Sequence, residues 1–320
     1  MANDILVLAE HAGGELSETT YELVGKAREL ASSLGGRTIV ALLGEESLAT
    51  ELGGADAVLT VDHPALAGYN PEAYLLVLAH LTEERDPRLV LLANTTVGMD
   101  LGAALSAARG APLAAYVAEI EAQDGSLVAT SQIYGGKLMA ESVIEGSPAV
   151  CTVIGGSFPA EAGHGAGSPE VEQVAPPPGL DELKTSFVRL AEPPAGDVDI
   201  TQAPLLISVG RGIESEDNLE LVQELADALG APLSASRPVT DLGWLPKTRQ
   251  VGKSGLKVKP KAYLAFGISG APEHLEGMRD AELIVACNND AHAPIFGVAH
   301  YGTTLDLFDL VPALTEKLQA

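Results

Sequence analysis

Short apolar runs alternate with helical patterns over the first 115 residues. Ile5–Ala9 is a continuous apolar run typical of a buried parallel strand, and Thr19–Leu34 carries apolar residues at helical spacing. The same alternation predicts strands at Thr38–Leu43, Ala57–Val61 and Leu89–Ala93 and helices at Pro71–Thr82 and Val97–Ala108. Strands and helices that alternate with short connections predict a parallel sheet covered on both faces.

After Ala115 the pattern changes to β-hairpins. Strand patterns at Val117–Ile120, Leu127–Ile133 and Lys137–Val143 are separated by Asp124-Gly125 and Gly135-Gly136, and Ala149–Ile154 closes the unit. Asp-Gly and Gly-Gly pairs supply the positive φ angles that tight hairpin turns need. We therefore expect an N-terminal parallel-sheet α/β domain with a β-hairpin portion.

A Gly-, Pro-, Ala- and Ser-rich stretch follows, from about residue 155 to 204. Pro176-Pro177-Pro178 and Pro193-Pro194 punctuate it, and we interpret it as one edge strand at Val171–Val174 followed by a linker. This composition places the domain boundary near residue 200. The prediction is a first domain over residues 1–200 and a second over 201–320.

The second domain again has an α/β pattern. Its predicted elements are a strand at Leu205–Val209, a helix at Asp217–Leu229, strands at Tyr263–Phe266, Leu283–Ala286 and Ile295–Val298, and a helix at Leu305–Leu318. This order predicts a doubly wound α/β domain.

Charge and cysteine content limit the classes of function. The 320 residues carry a net charge of −25, which disfavours nucleic acid or an anionic membrane as partner. The two cysteines, Cys151 and Cys287, lie in separate apolar runs, and the N-terminus has no basic segment of the kind a signal peptide carries. No apolar stretch is long enough to span a bilayer. We expect a cytoplasmic protein that is not embedded in a membrane.

Sequence motifs for phosphate binding are incomplete. Gly210-Arg211-Gly212 follows a strand, where a dinucleotide loop would lie, but the third glycine of that motif is missing, so a plain turn remains open. Gly252-Lys253-Ser254 resembles the end of a Walker A loop, but Lys247 occupies the position of its first glycine. Ser269 lacks a nucleophile elbow, and His274, His292 and His300 lack zinc spacing. We expect no catalytic nucleophile and no metal.

One segment concentrates positive charge in this acidic chain. Its six basic residues are Lys247, Arg249, Lys253, Lys257, Lys259 and Lys261. They fit either a solvated hairpin face or a site for a polyanion such as a dinucleotide pyrophosphate.

Taken together, these segments resemble the α subunit of electron transfer flavoprotein. The resemblance is closest from about residue 205 to 318, in Ala-Ser236-Arg237-Pro-Val-Thr-Asp, Gln250-Val-Gly-Lys-Ser254-Gly and Gly267-Ile-Ser-Gly-Ala-Pro-Glu-His274. Gln132-Ile-Tyr-Gly-Gly136 and the opening strand with Glu10-His11 extend it, more loosely, to the first domain. It implies a noncovalent FAD, a β-subunit partner, flavin dehydrogenases such as acyl-CoA dehydrogenases as electron donors and a quinone-reducing oxidoreductase as acceptor.

The resemblance also implies which residues bind FAD. They are Arg211, Ser236, Arg237, Gln250, Val251, Gly252, Lys253, Ser254, Gly267, Ser269, Gly270, Ala271, Pro272, Glu273, His274, Asn288, Asp306 and Leu307. Arg211 would lie at the pyrophosphate, Arg237 beside the flavin ring, and Asn288 and Asp306 at the adenosine end. A fixed guanidinium at the ring stabilises reduced, negatively charged flavin and raises its reduction potential.

Several positions depart from the family. Ser254 stands where Thr is usual, Lys253 and Glu273 where Gln is usual, Pro272 where Ile is usual, and His300 where Asp is usual. These departures leave the flavin potential open. The alternatives are an α subunit of an electron-bifurcating flavoprotein that uses NADH, a stand-alone nucleotide-dependent oxidoreductase, and a docking subunit with a degenerate FAD site.

Overall fold

The computed structural model describes residues 3–134, 136–189 and 198–319. The chain divides into two compact units, Met1–Leu190 and Ala191–Ala320. Among the helices described, none combines the length and apolar character needed to cross a bilayer.

The first unit contains eleven strands and three α-helices within the described residues. The strands are β1 (Ile5–Leu8), β2 (His11–Ala12), β3 (Glu15–Leu16), β4 (Thr38–Leu43), β5 (Ala57–Val61), β6 (Leu89–Ala93), β7 (Leu113–Gln123), β8 (Ser126–Ile133), β9 (Leu138–Ile144), β10 (Ala149–Val153) and β11 (Glu170–Gln173). The helices are α1 (Glu18–Leu34), α2 (Pro71–Arg85) and α3 (Thr96–Arg109).

Nine of these strands form one sheet in the order β11-β5-β4-β1-β6-β10-β7-β8-β9. The strands from β11 to β7 pair in parallel, and β7, β8 and β9 pair antiparallel. One core packs α1 on one face of the sheet, and a second packs α2 and α3 on the other. The predicted parallel sheet with a hairpin portion is therefore confirmed.

The helix ends follow local chemistry. Ser17 accepts a hydrogen bond from the Thr20 N–H at 3.3 Å and caps the start of α1, and Gly35 ends it with φ 73°. Asn70 caps α2 in the same way before Pro71, whose fixed φ suits the first helical position.

Most of the stretch expected as a linker packs on the first unit. The Gly156 N–H donates to Glu22 of α1 at 2.8 Å, and β11 pairs with β5 at the edge of the sheet. Leu180 is 4 % exposed in the core under α2, and the Thr185 N–H donates to Glu72 at 2.9 Å. The edge strand expected at Val171–Val174 is present as β11, and the linker prediction is wrong for the other residues up to 189. A Pro-rich segment needs no core of its own when it can bury its few apolar residues against an existing sheet.

The second unit contains five strands and four α-helices within the described residues. The strands are β12 (Leu205–Val209), β13 (Leu233–Ala235), β14 (Ala262–Phe266), β15 (Ile284–Cys287) and β16 (Tyr301–Thr303). The helices are α4 (Leu219–Leu229), α5 (Arg237–Asp241), α6 (Pro272–Glu276) and α7 (Leu307–Gln319).

The five strands form a parallel sheet in the order β13-β12-β14-β15-β16, with a packed core on each face. This is the doubly wound arrangement expected from the sequence. One predicted strand is wrong: Ile295–Val298 belongs to a 3₁₀ turn at Pro294–Gly297, and the fifth strand is β16. Pro294 fixes φ at the start of that turn and has no N–H to donate to a strand ladder.

Candidate functional site

A cleft of the second unit lies at the carboxyl ends of its strands. β12 lies between β13 and β14 in the sheet. From β12 the chain continues to its neighbour on one side, β13, and later returns to its neighbour on the other side, β14. The loops that follow β12 and β14 therefore diverge and leave a crevice between them, the usual ligand position in open α/β sheets. The cleft has a volume of about 720 Å³, within the usual range for small-molecule sites.

Glycine backbone forms the floor between these two loops. The Gly212 N–H donates to the Gly267 carbonyl at 3.1 Å. A Cβ atom on Gly210 would lie 2.2 Å from the Gly267 oxygen, and one on Gly212 would lie 2.7 Å from the Gly267 Cα. Gly267 itself has φ +65°. The two loops thus lie in direct main-chain contact at a place where no side chain fits.

Two further glycines bring other loops of the cleft into close main-chain contact. Gly252 has φ +134°, and a Cβ atom there would lie 2.8 Å from the Glu273 carbonyl oxygen, which accepts the Lys253 N–H at 2.7 Å. Gly270 has φ +84° and lies against Ile295. The loop at residues 251–254 and the start of α6 are therefore fixed relative to each other by main-chain contact.

Three cationic side chains line the cleft: Arg211, Arg237 and Lys253. The Arg237 side chain is 66 % exposed at the rim, and its Nε donates to Asp241 at 3.1 Å. Lys247 donates to the other oxygen of Asp241 at 2.9 Å, and these two cations hold the pKa of Asp241 below its usual value, with the Lys247 hydrogen bond as the larger cause. Arg237 and Asp241 thus form an ion pair between the two ends of α5.

The basic segment contributes only Lys253 to the cleft lining. Lys247 pairs with Asp241, Lys257 pairs with Asp280 at 2.9 Å, and Arg249 donates to the Leu233 carbonyl at 2.8 Å. Nζ of Lys253 lies 3.9 Å from Glu276. The acidic partners of Lys247, Lys253 and Lys257 agree with the solvated face as the interpretation of most of the segment.

His274 brings a buried imidazole to the cleft. It is 6 % exposed, and its Nε2 lies 3.0 Å from the hydroxyl of fully buried Tyr263. Burial lowers the pKa of His274 to about 4, against a smaller opposing effect of the Val251 backbone, so the ring is neutral at pH 7. Burial also raises the pKa of Tyr263, which keeps its hydroxyl protonated. Nδ1 of His274 is buried and completes no hydrogen bond of normal geometry.

Fifteen of the eighteen residues expected from the sequence line the cleft. Asp306 and Leu307 line a small adjoining pocket of about 60 Å³, whose lining also includes Gly212, Gly267 and Asn288. Pro272 lines neither pocket and occupies the first position of α6. His300 lines neither, since its Nδ1 accepts the Ile284 N–H at 3.0 Å.

The sequence interpretation missed four lining residues, Gly212, Glu214, Pro238 and Ile268. Gly212 could have been found from the Gly-x-Gly pattern. Glu214 carried no signal, although it has φ 70° in a tight turn in which the Ser215 N–H donates to the Ile213 carbonyl at 2.9 Å. Glu214 lines both the cleft and the small pocket.

The cleft fits a dinucleotide. Because the floor carries no side chains, a phosphate group can lie close to its main chain, and the arginines at the sides of the cleft supply the opposite charge. Among the described residues, no group of three or more His, Cys, Asp or Glu side chains is arranged to hold a metal ion.

Comparison with known proteins agrees with this geometry. Residues 5–178 match the electron transfer flavoprotein domain, and residues 199–279 match the electron transfer flavoprotein FAD-binding domain. The electron transfer flavoprotein α subunit of Bacillus subtilis is 35 % identical over 324 residues, which cover 100 % of this chain and 98 % of that protein. The chain belongs to the electron transfer flavoprotein family.

Two other relatives carry different names. Protein FixB of Clostridium saccharobutylicum is 36 % identical, over 97 % of this chain and 94 % of its own length. The acryloyl-CoA reductase electron transfer subunit β of Anaerotignum propionicum is 35 % identical, over 99 % and 95 %. As a flavoprotein α subunit, the chain binds FAD through its second unit and pairs with a β subunit.

Proposed function

We propose that the chain is the FAD-carrying subunit of a heterodimeric electron carrier. It would accept electrons from flavin dehydrogenases, such as acyl-CoA dehydrogenases, and pass them to a quinone-reducing oxidoreductase, without turning over a substrate of its own. The cleft carries this proposal, because its glycine floor and three cationic side chains suit a dinucleotide. The cytoplasm remains the proposed location, and Cys151 and Cys287 are both buried and free.

Bound FAD supplies the ring that takes up and releases electrons. We assign the floor and Arg211 to the pyrophosphate, Arg237 to the ring, and Asn288 with Asp306 to the adenosine end. Arg237 would hold a positive charge at the rim, where it stabilises the reduced ring electrostatically. Because Arg237 is exposed, solvent screens this effect, and Asp241 offsets part of it.

His274 would lie beside the ring as a neutral imidazole. The Tyr263 hydroxyl is protonated and lies 3.0 Å from Nε2, so it can donate to that nitrogen. A neutral imidazole that accepts at Nε2 carries its hydrogen on Nδ1. The buried Tyr263 would therefore select the tautomer of His274 that carries its hydrogen on Nδ1.

The test is a visible absorption spectrum of the chain copurified with its β subunit and reduced in steps. We expect flavin bands that bleach on reduction and return when an electron acceptor is added. A colourless complex that added FAD cannot reconstitute would contradict the proposal.

A second candidate follows from the relative named for acryloyl-CoA reductase. A carrier of that kind would serve one partner enzyme, and a bifurcating form would take electrons from NADH. Adding NADH to the oxidised complex distinguishes these roles. We expect no bleaching, whereas rapid reduction of the flavin by NADH would favour the bifurcating role.

A further inference from the structure

A buried glutamine links two elements that line the cleft. Gln250 is 1 % exposed, although its side chain is a primary amide. Its Oε1 accepts from the hydroxyl of Thr240, on α5, at 2.7 Å, and its Nε2 donates to Ser254 Oγ at 3.0 Å. Thr240 is itself 5 % exposed. The sequence interpretation expected Gln250 to bind FAD, but both ends of its amide are engaged by protein hydroxyls.

The hydrogen bonds that link Thr240, Gln250 and Ser254 all run in one direction. A threonine hydroxyl has one hydrogen, and the contact with Gln250 Oε1 is shorter than the 3.0 Å contact with the Arg237 carbonyl. With Oε1 accepting from Thr240, the Gln250 NH₂ must point to Ser254. Ser254 Oγ then acts as an acceptor on the protein side, which leaves its own hydrogen for donation elsewhere. Since Ser254 lines the cleft, that hydrogen can be donated there.

We propose that Thr240 and Gln250 are positioning residues that hold the Ser254 hydroxyl as a hydrogen-bond donor to the flavin ring. The inference rests on the proposed function, because it needs FAD in the cleft. Its physical basis is burial: an amide with a lost partner in a dry site carries a large desolvation cost. Without the Thr240 hydroxyl, either orientation of the Gln250 amide leaves one of its ends without a partner, so the NH₂ is no longer held toward Ser254. In the reversed orientation Oε1 accepts the serine hydrogen, and the serine offers only lone pairs to the cleft.

The affinities for two flavin ligands show whether Ser254 donates a hydrogen bond to the ring, and this measurement needs no electron transfer. FAD accepts a hydrogen bond at ring nitrogen N5, and in 5-deaza-FAD a C–H group that cannot accept replaces this nitrogen. We expect the wild-type heterodimer to prefer FAD by about fivefold, the equivalent of one net hydrogen bond. Thr240→Val has nearly the same shape without the hydroxyl, and we expect it to reduce this preference. Thr240→Ser keeps the hydroxyl and should retain it.

The Ser254→Ala background separates positioning from packing. This variant sets the baseline ratio of the two affinities, and Thr240→Val should not change that ratio further, because the group through which it acts is gone. Equal weakening of both ligands by Thr240→Val would overturn the inference, as would a wild-type ratio equal to the Ser254→Ala baseline. A wild-type heterodimer that binds neither ligand would instead contradict the proposed function. Thermal unfolding of each variant confirms that it is folded.

Discussion

Arg237 and Lys247 share one carboxylate, yet only Arg237 lines the cleft. Both contribute one positive charge to the same surface, so the pair offers a matched test of position. We expect Arg237→Ala to keep FAD bound but to lower its reduction potential by tens of millivolts. A shift of about 59 mV corresponds to a tenfold change in the equilibrium constant of a one-electron transfer. Lys247→Ala should shift the potential much less. Spectroelectrochemical titration measures both, and equal shifts would show that Arg237 has no special place at the ring.

His274 gives the second unit a defined response to acid. Its pKa is about 4 in the folded protein because the ring is buried, against about 6.5 when the chain is unfolded. Above pH 6.5 the ring is neutral in both states and has no effect. Between pH 6.5 and 4 only the unfolded chain takes up the proton, so the free energy of unfolding falls as the pH is lowered.

We expect this loss to reach about 2 kcal/mol between pH 6.5 and 5, measured as the difference between wild type and His274→Gln in urea unfolding. Carboxylates common to both proteins cancel in that difference. His292→Gln, at an exposed position, is the control and should follow the wild type. Parallel curves for wild type and His274→Gln would contradict the assigned burial effect.

At the scale of elements, the loops after β12 and β14 are joined by glycine main chain. We expect Gly210→Ala to destabilise the second unit by about 3 kcal/mol and to weaken FAD binding, because the added methyl group would lie 2.2 Å from the Gly267 oxygen. Gly297→Ala is the matched control. Nothing lies within 4 Å of its added Cβ, so its effect should stay under about 0.5 kcal/mol. Thermal unfolding and FAD titration check both, and similar values for the two would refute the close contact.

The sequence predicts elements well where burial alone decides them. Continuous apolar runs such as Thr38–Leu43 and Leu205–Val209 are strands with the predicted bounds, because a strand inside a covered parallel sheet buries nearly all of its residues. Leu233–Ala235 is too short to form a pattern, and β16 contains a glycine and an exposed tyrosine. Their places depend on neighbouring strands, which no local pattern reveals.

The site shows the same limit. Family motifs predicted the residues that meet at the cleft, but not the partners that orient them. Thr240 contacts Gln250 across ten positions of sequence, and Tyr263 contacts His274 across eleven. Both contacts form only after α5, β14 and α6 have packed.

At the scale of the whole molecule, residues 155–189 decide where the first unit ends. If they belong to its core, Leu180→Ala should destabilise that unit by about 2–4 kcal/mol, since it leaves a cavity beneath α2. Val188 is 86 % exposed, and Val188→Ala should have almost no effect. Urea unfolding of the two variants provides the comparison. Equal stability of Leu180→Ala and wild type would restore the linker interpretation.

The glycine floor also limits how this protein can diverge. Substitution at Gly210, Gly212 or Gly267 meets main chain, so the surface that we assign to the dinucleotide cannot be varied gradually. The rim consists of side chains, and its departures from the family include Lys253, Ser254 and Glu273. Descendants of one ancestral carrier can therefore acquire different redox potentials, each suited to a different electron donor, while all retain the same cofactor.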